Sequence, residues 1–204
     1  MKVIGLCGGS GSGKTAACEI FSDLGAAIIN TDRVYRELCA PGSPCMEELK
    51  EAFGCGIIRQ DGSLDREALG SIVFSDREAL LTLDGITHRY IKAETLARIE
   101  RYRMDGYDAV IVDAPLLFEA EFDRFCDITA GIVADRSLRI SRIIERDGIT
   151  HEAAERRISS QLSDDELRRR CDYIIDNNGD TSELFARVRS FYLKAVIETA
   201  RGVE

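Results

Sequence analysis

The sequence has no tryptophan and only 3 prolines in 204 residues. With no internal repeat beside that scarcity, proline-rich and collagen-like architectures are excluded. No apolar run approaches the roughly 18 residues a membrane-spanning helix needs. The start of the chain lacks the charged-then-apolar pattern of a secretory leader and goes straight into an apolar strand. Histidines number 2, and none of the 7 cysteines falls in a C-x-x-C pair, so the clustered ligands of a zinc site are missing. The cysteines read as reduced, mostly small buried hydrophobes. A basic excess is missing too: 27 Lys and Arg face 36 Asp and Glu, a net charge of −9. Nucleic acid and membrane surfaces are poor partners for such a chain. The expectation is a cytoplasmic protein, a monomer or weak homo-oligomer.

What is present is a globular composition, 45% hydrophobic and 31% charged, in a chain long enough for one domain with small insertions. Short apolar runs at Val3–Cys7, Ala26–Ile29, Ala109–Val112, Ile128–Val133 and Tyr173–Ile175 read as strands buried on both faces. Helical patterns lie between them. The predicted fold is α/β, a five-stranded parallel sheet with helices on both faces. Some eighty residues between the second and third strands read as helices only. One runs from about Asp65 to Phe74, and a longer pattern from Asp76 to Met104 is interrupted near Gly85. This is too long for a simple crossover and predicts a helical insertion. A second, smaller insertion follows the fourth strand, with helices at Ser137–Glu145 and His151–Leu162, the latter capped near Thr150.

Gly8-Gly9-Ser10-Gly11-Ser12-Gly13-Lys14-Thr15 satisfies G-x-x-x-x-G-K-[ST] in full. Glycines let the backbone curl until successive N–H groups face phosphate oxygens. The helix beginning at Lys14 adds its positive end. Lys14 reaches the β- and γ-phosphates, and the Thr15 hydroxyl ligates magnesium. An apolar strand before and an amphipathic helix after supply the required context. The expected nucleotide-binding residues are Gly9, Gly11, Ser12, Gly13, Lys14, Thr15 and Ala16, with ATP as the nucleotide and Thr15 as the metal ligand. A GTPase would need N-K-x-D, but Asn177-Asn178-Gly179-Asp180 has Asn for Lys. The D-x-x-G at 176–179 lies too late in the chain for a switch.

A kinase also needs a group that orients the acceptor hydroxyl and takes its proton. Asp32, just past the second strand, stands where ligands gather in an open parallel sheet; it would equally serve as N-cap of a helix Arg33–Leu38. Asp113 ends the third strand and would hold a magnesium-bound water or cap a helix beginning near Pro115. Residues 136–170 carry nine arginines. They form either a solvated pair of helices or a mobile arm that brings guanidinium groups over ATP and excludes water.

Several blocks in order resemble the dephospho-CoA kinase family along nearly the whole chain: Gly5–Thr15, Ile29-Asn30-Thr31-Asp32, Ala114-Pro115-Leu116-Leu117-Phe118-Glu119, Arg142 with Arg146-Asp147, Arg157-Ile158 with Gln161, and 172–179. The resemblance implies a P-loop kinase with a core (residues 1–59, 106–136 and 163–204), a helical acceptor-binding insertion (60–105) and a lid (137–162). It implies transfer of the ATP γ-phosphate to the ribose 3′-hydroxyl of dephospho-CoA, with Asp32 as base and Arg142 and Arg146 as lid donors. The chain departs from the family's pattern at Asn30, where the first acid of D-x-D is expected, at Arg89, where Pro follows the histidine (here His88), and at Arg139, where Gln is common.

Overall fold

A computed structural model describes residues 1–198. The sheet order is β2-β3-β1-β4-β5, all parallel, with β1 at Lys2–Cys7, β2 at Ala27–Asn30, β3 at Ala109–Asp113, β4 at Ile128–Val133 and β5 at Tyr173–Asp176. β1 is central, in register with β3 (Leu6 opposite Asp113) and β4 (Cys7 opposite Gly131). Alternate residues of a strand face opposite sides. Ile4 and Leu6 of β1 meet Ile111 and Ile132 under α1 (Lys14–Asp23) and α9 (Thr181–Tyr192), where Phe21 and Phe191 are fully buried edge to face. On the other side, a Cβ at Gly5 would touch Leu117 and Cys126, so a short turn segment and the 3-10 turn Phe122–Phe125 cover this face.

By compactness the described residues divide into two units, residues 1–29 with 99–198, and residues 30–98. Within the second, α2 (Thr31–Leu38), α3 (Pro44–Phe53), α4 (Arg66–Val73) and the first part of α5 (Arg77–Met104) share a core of Cys45, Met46, Leu49, Leu69, Val73 and Ile86. This unit starts earlier than the segment 60–105 read from the sequence, because α2 and α3 belong to the same apolar cluster. α5 is continuous for 28 residues, so the expected interruption at Gly85 does not occur. A mid-helix glycine weakens a helix by about 1 kcal/mol relative to Ala without breaking it.

In the first unit, α6 (Arg136–Asp147) and α7 (His151–Ser159) form a hairpin around Ile140, Ile143, Ala154 and Ile158. Thr150 caps α7, accepting from the Ala153 N–H, as expected, although α7 ends before Leu162. α8 (Asp164–Arg170) follows, with Leu167 buried. All 7 cysteines are free thiols and four of them are buried.

Candidate active site

The loop from Gly8 to Thr15 folds as its glycines require. Gly11 (φ 76°) and Gly13 (φ 95°) occupy the left-handed region that disfavours side chains. The Ser12 N–H donates to the Gly9 carbonyl at 3.1 Å, closing the curl. α1 then starts with no side-chain cap and no acidic residue in its first turn. By contrast α2, α3, α4, α7, α8 and α9 each carry a capping side chain. A helix start leaves its first N–H groups without helical partners. Here no side chain of the helix competes for them, which is the electrostatics of an anion site.

Lys14 Nζ forms an ion pair with the Asp113 carboxylate, at the end of neighbouring β3. Asp113 is only 5% exposed. Residues 115–121 are turns rather than helix, so the capping alternative for Asp113 falls. Its carboxylate instead holds the loop's lysine beside the sheet end. Thr15 is exposed on the first turn of α1.

Of the two arginines expected in the lid, Arg142 reaches the loop. Its Nη1 donates to the Gly11 carbonyl at 3.3 Å and the Asn177 carbonyl at 3.2 Å. Arg146 does not; its guanidinium makes a fork with Asp147, at 2.7 and 2.9 Å, on the exposed end of α6. Arg157 pairs with the same carboxylate. The bonds from Arg146, then from Arg157, hold Asp147 well below the usual carboxylate range.

Asn177 and Arg139 have no role assigned from the sequence, and Gln161 has only the place in the lid that the resemblance implies. Asn177, 5% exposed, donates from Nδ2 to the Ser12 carbonyl at 2.7 Å. A Cβ at Gly13 would lie 2.1 Å from that nitrogen, so the motif's second glycine also admits this buttress. Gln161 accepts from the Ser10 N–H at 2.8 Å. Arg139, read only as a departure from the family's pattern, is buried against the loop and pairs with Asp164 at 2.7 Å. Nothing in the spacing of nine arginines marks which of them is buried.

Asp32 lies in the other unit. It is exposed in the first turn of α2, and the cap of that helix is Asn30, whose Oδ1 accepts from the Arg33 N–H at 2.8 Å. The capping role considered for Asp32 is therefore filled by the residue that departs from D-x-D. His88 is half-buried on α5, 3.9 Å from Asp84 one turn away. Arg89 pairs with Glu48 of α3, and Tyr90 donates to the same carboxylate at 2.9 Å.

The profile of one family, dephospho-CoA kinase, matches residues 2–183. The chain belongs to the dephospho-CoA kinase family. The dephospho-CoA kinase of Leifsonia xyli is 42% identical over 193 residues, spanning 94% of this chain and 98% of that one. That of Symbiobacterium thermophilum is 40% identical over 195 residues, spanning 96% and 82%. A solved structure from Thermus thermophilus superposes with a TM-score of 0.83 at 27% identity, covering 95% of this chain and 96% of that one. At 24% identity, the dephospho-CoA kinase of Campylobacter jejuni shares the fold, with a TM-score of 0.72 over 97% and 98% of the two chains. Lys14, Asp113, Arg142 and Asn177 all lie within the matched residues.

Proposed function

We propose that this protein transfers the γ-phosphoryl group of ATP to the 3′-hydroxyl of the dephospho-CoA ribose, giving coenzyme A and ADP. The observation that carries this reading is the family match across residues 2–183, with an intact phosphate loop inside it. Backbone N–H groups of Gly11 to Lys14 and the start of α1 receive the phosphates. Lys14 exchanges its contact with Asp113 for phosphate oxygens, which places positive charge where negative charge spreads in transfer.

Magnesium keeps most of its waters and takes one or two protein oxygens beside phosphate oxygens. The exposed Thr15 hydroxyl and the Asp113 carboxylate are donors of that kind, so the residues present fit the ion. When bound, it would neutralise phosphate charge. Asp32 is assigned as the base that orients the acceptor hydroxyl and takes its proton; its carboxylate is short, exposed and relieved of capping by Asn30. Arg142 is assigned to the lid that covers the nucleotide, with Arg146 as the second donor when Asp147 releases it. The protein is proposed to act in the cytoplasm as a monomer or weak homo-oligomer; no helix among the described residues is long and apolar enough to cross a membrane.

The test is product formation from Mg-ATP and dephospho-CoA, followed as ADP and as coenzyme A in equal amounts. Turnover should require both substrates. ADP released at the same rate without acceptor would make the protein an ATPase rather than this kinase.

A further inference from the structure

Ser10, in the first half of the phosphate loop, is gripped from outside by two side chains. Arg139 on α6 is 2% exposed, and its guanidinium is shared among three acceptors. Nε donates to the Ser10 carbonyl at 2.9 Å, Nη1 to Asp164 at 2.7 Å, and Nη2 faces Gln161 Oε1 at 3.5 Å. Gln161 accepts from the Ser10 N–H at 2.8 Å and donates to its hydroxyl at 3.2 Å. Every polar group of Ser10 is thus engaged by the segment that follows β4.

Gly9 fits the same arrangement. Its φ is not in the left-handed region, so the backbone there would accept alanine. A Cβ would nevertheless lie 2.1 Å from Arg139 Nη2, 2.9 Å from its Cζ and 3.0 Å from Gln161 Oε1. Glycine at this position makes room for the guanidinium. Burial pulls the pKa of Arg139 down and pushes that of Asp164 up, each against the partner's attraction. The guanidinium is buried while the Asp164 carboxylate is partly exposed, and the cost of taking charge out of water makes such a pair a poor device for stability. What the pair does supply is a fixed planar fork, which a lysine does not.

We propose that Arg139 is a positioning residue for nucleotide binding: anchored by Asp164, it fixes the Ser10 carbonyl and so aims the following backbone N–H groups at the phosphates. The proposal rests on the reading of this loop as the ATP cradle. It also makes α6 the element through which the arginine-rich hairpin acts on the loop.

The experiment compares wild type, Arg139→Ala, Arg139→Lys, Gly9→Ala and Gly9→Ala/Arg139→Ala, by thermal unfolding without ligand and by calorimetric titration with Mg-ATP. Arg139→Ala should bind Mg-ATP about tenfold more weakly or worse, the loss of one charge-assisted contact's worth of alignment. Arg139→Lys can satisfy Asp164 but not all three acceptors, so it should recover most of the lost Tm and little of the lost affinity. Gly9→Ala should lower Tm in wild type and much less in the Arg139→Ala background. An Arg139→Ala protein that binds Mg-ATP as wild type does, or equal effects of Gly9→Ala in both backgrounds, would overturn the proposal. So would a lysine variant that restores affinity and Tm together, which marks a merely structural role. Should Arg139→Ala not fold, Arg139→Lys gives the affinity and Gly9→Ala/Arg139→Lys the coupling. Wild type failing to bind Mg-ATP would instead sink the reading of the loop itself.

Discussion

At the scale of single residues, the site divides into groups proposed to meet phosphate and groups that hold the loop. Lys14 belongs to the first. Lys14→Ala removes the cation at the transferring group and should lower kcat by at least about 10²-fold, the range seen on removing one transition-state donor; near-normal turnover in a steady-state assay would refute its role. The Arg142 and Arg146 substitutions should differ in free-enzyme behaviour. Both should lower kcat, but only Arg142→Ala loses contacts to the Gly11 and Asn177 carbonyls, so it alone should also raise the KM for ATP. Unchanged kinetics in both variants would remove Arg142 and Arg146 from the reaction. Asp32→Asn should lower kcat far more than it weakens ATP binding, with Tm unchanged because Asn30 caps the helix.

At the scale of elements, that cap can be tested by itself. Asn30→Ala should destabilise the protein by about 1 kcal/mol in denaturant unfolding; no change would mean that α2 does not depend on it. Gly85 is exposed within continuous α5, and a Cβ there meets nothing within 4 Å. Gly85→Ala should therefore stabilise the protein by about 0.5–1 kcal/mol, and destabilisation would contradict the continuous helix. The same elements show what was legible in the sequence. The five strands are legible as short unbroken apolar runs, which the inner strands owe to burial on both faces and which the half-buried edge strands β2 and β5 share. The break expected at Gly85 does not occur because helix propensity is a weak local term that its context overrides. α8 was not foreseen: in DDELRRR only Leu167 is buried, too little apolar signal to show a period. The phosphate loop was legible because its chemistry is local. Its supports were not, since Arg139 finds Ser10 across 129 positions, Asn177 finds Ser12 across 165 and Lys14 finds Asp113 across 99. Residue type alone does not select such partners.

At the scale of the molecule, the sheet brings the ends of β1 and β3 side by side, so that the loop after β1 meets the carboxylate ending β3. The arginine-rich hairpin follows β4, the strand on the other side of β1. Of the hairpin's arginines, Arg139 and Arg142 reach the loop. Mg-ATP at about 100 times its Kd should stabilise the folded state by about 2.7 kcal/mol, seen as a rise in Tm that Lys14→Ala reduces. What the assembled site is proposed to perform is phosphoryl transfer to dephospho-CoA. The decisive assay follows ADP production with Mg-ATP and, as acceptors in parallel, dephospho-CoA and a panel of nucleoside monophosphates, run beside Asp32→Asn. Turnover is expected with dephospho-CoA alone, with coenzyme A as product, and is expected to be lost in the variant. Turnover only with another acceptor, or none with any acceptor despite ATP binding, would contradict the proposed reaction.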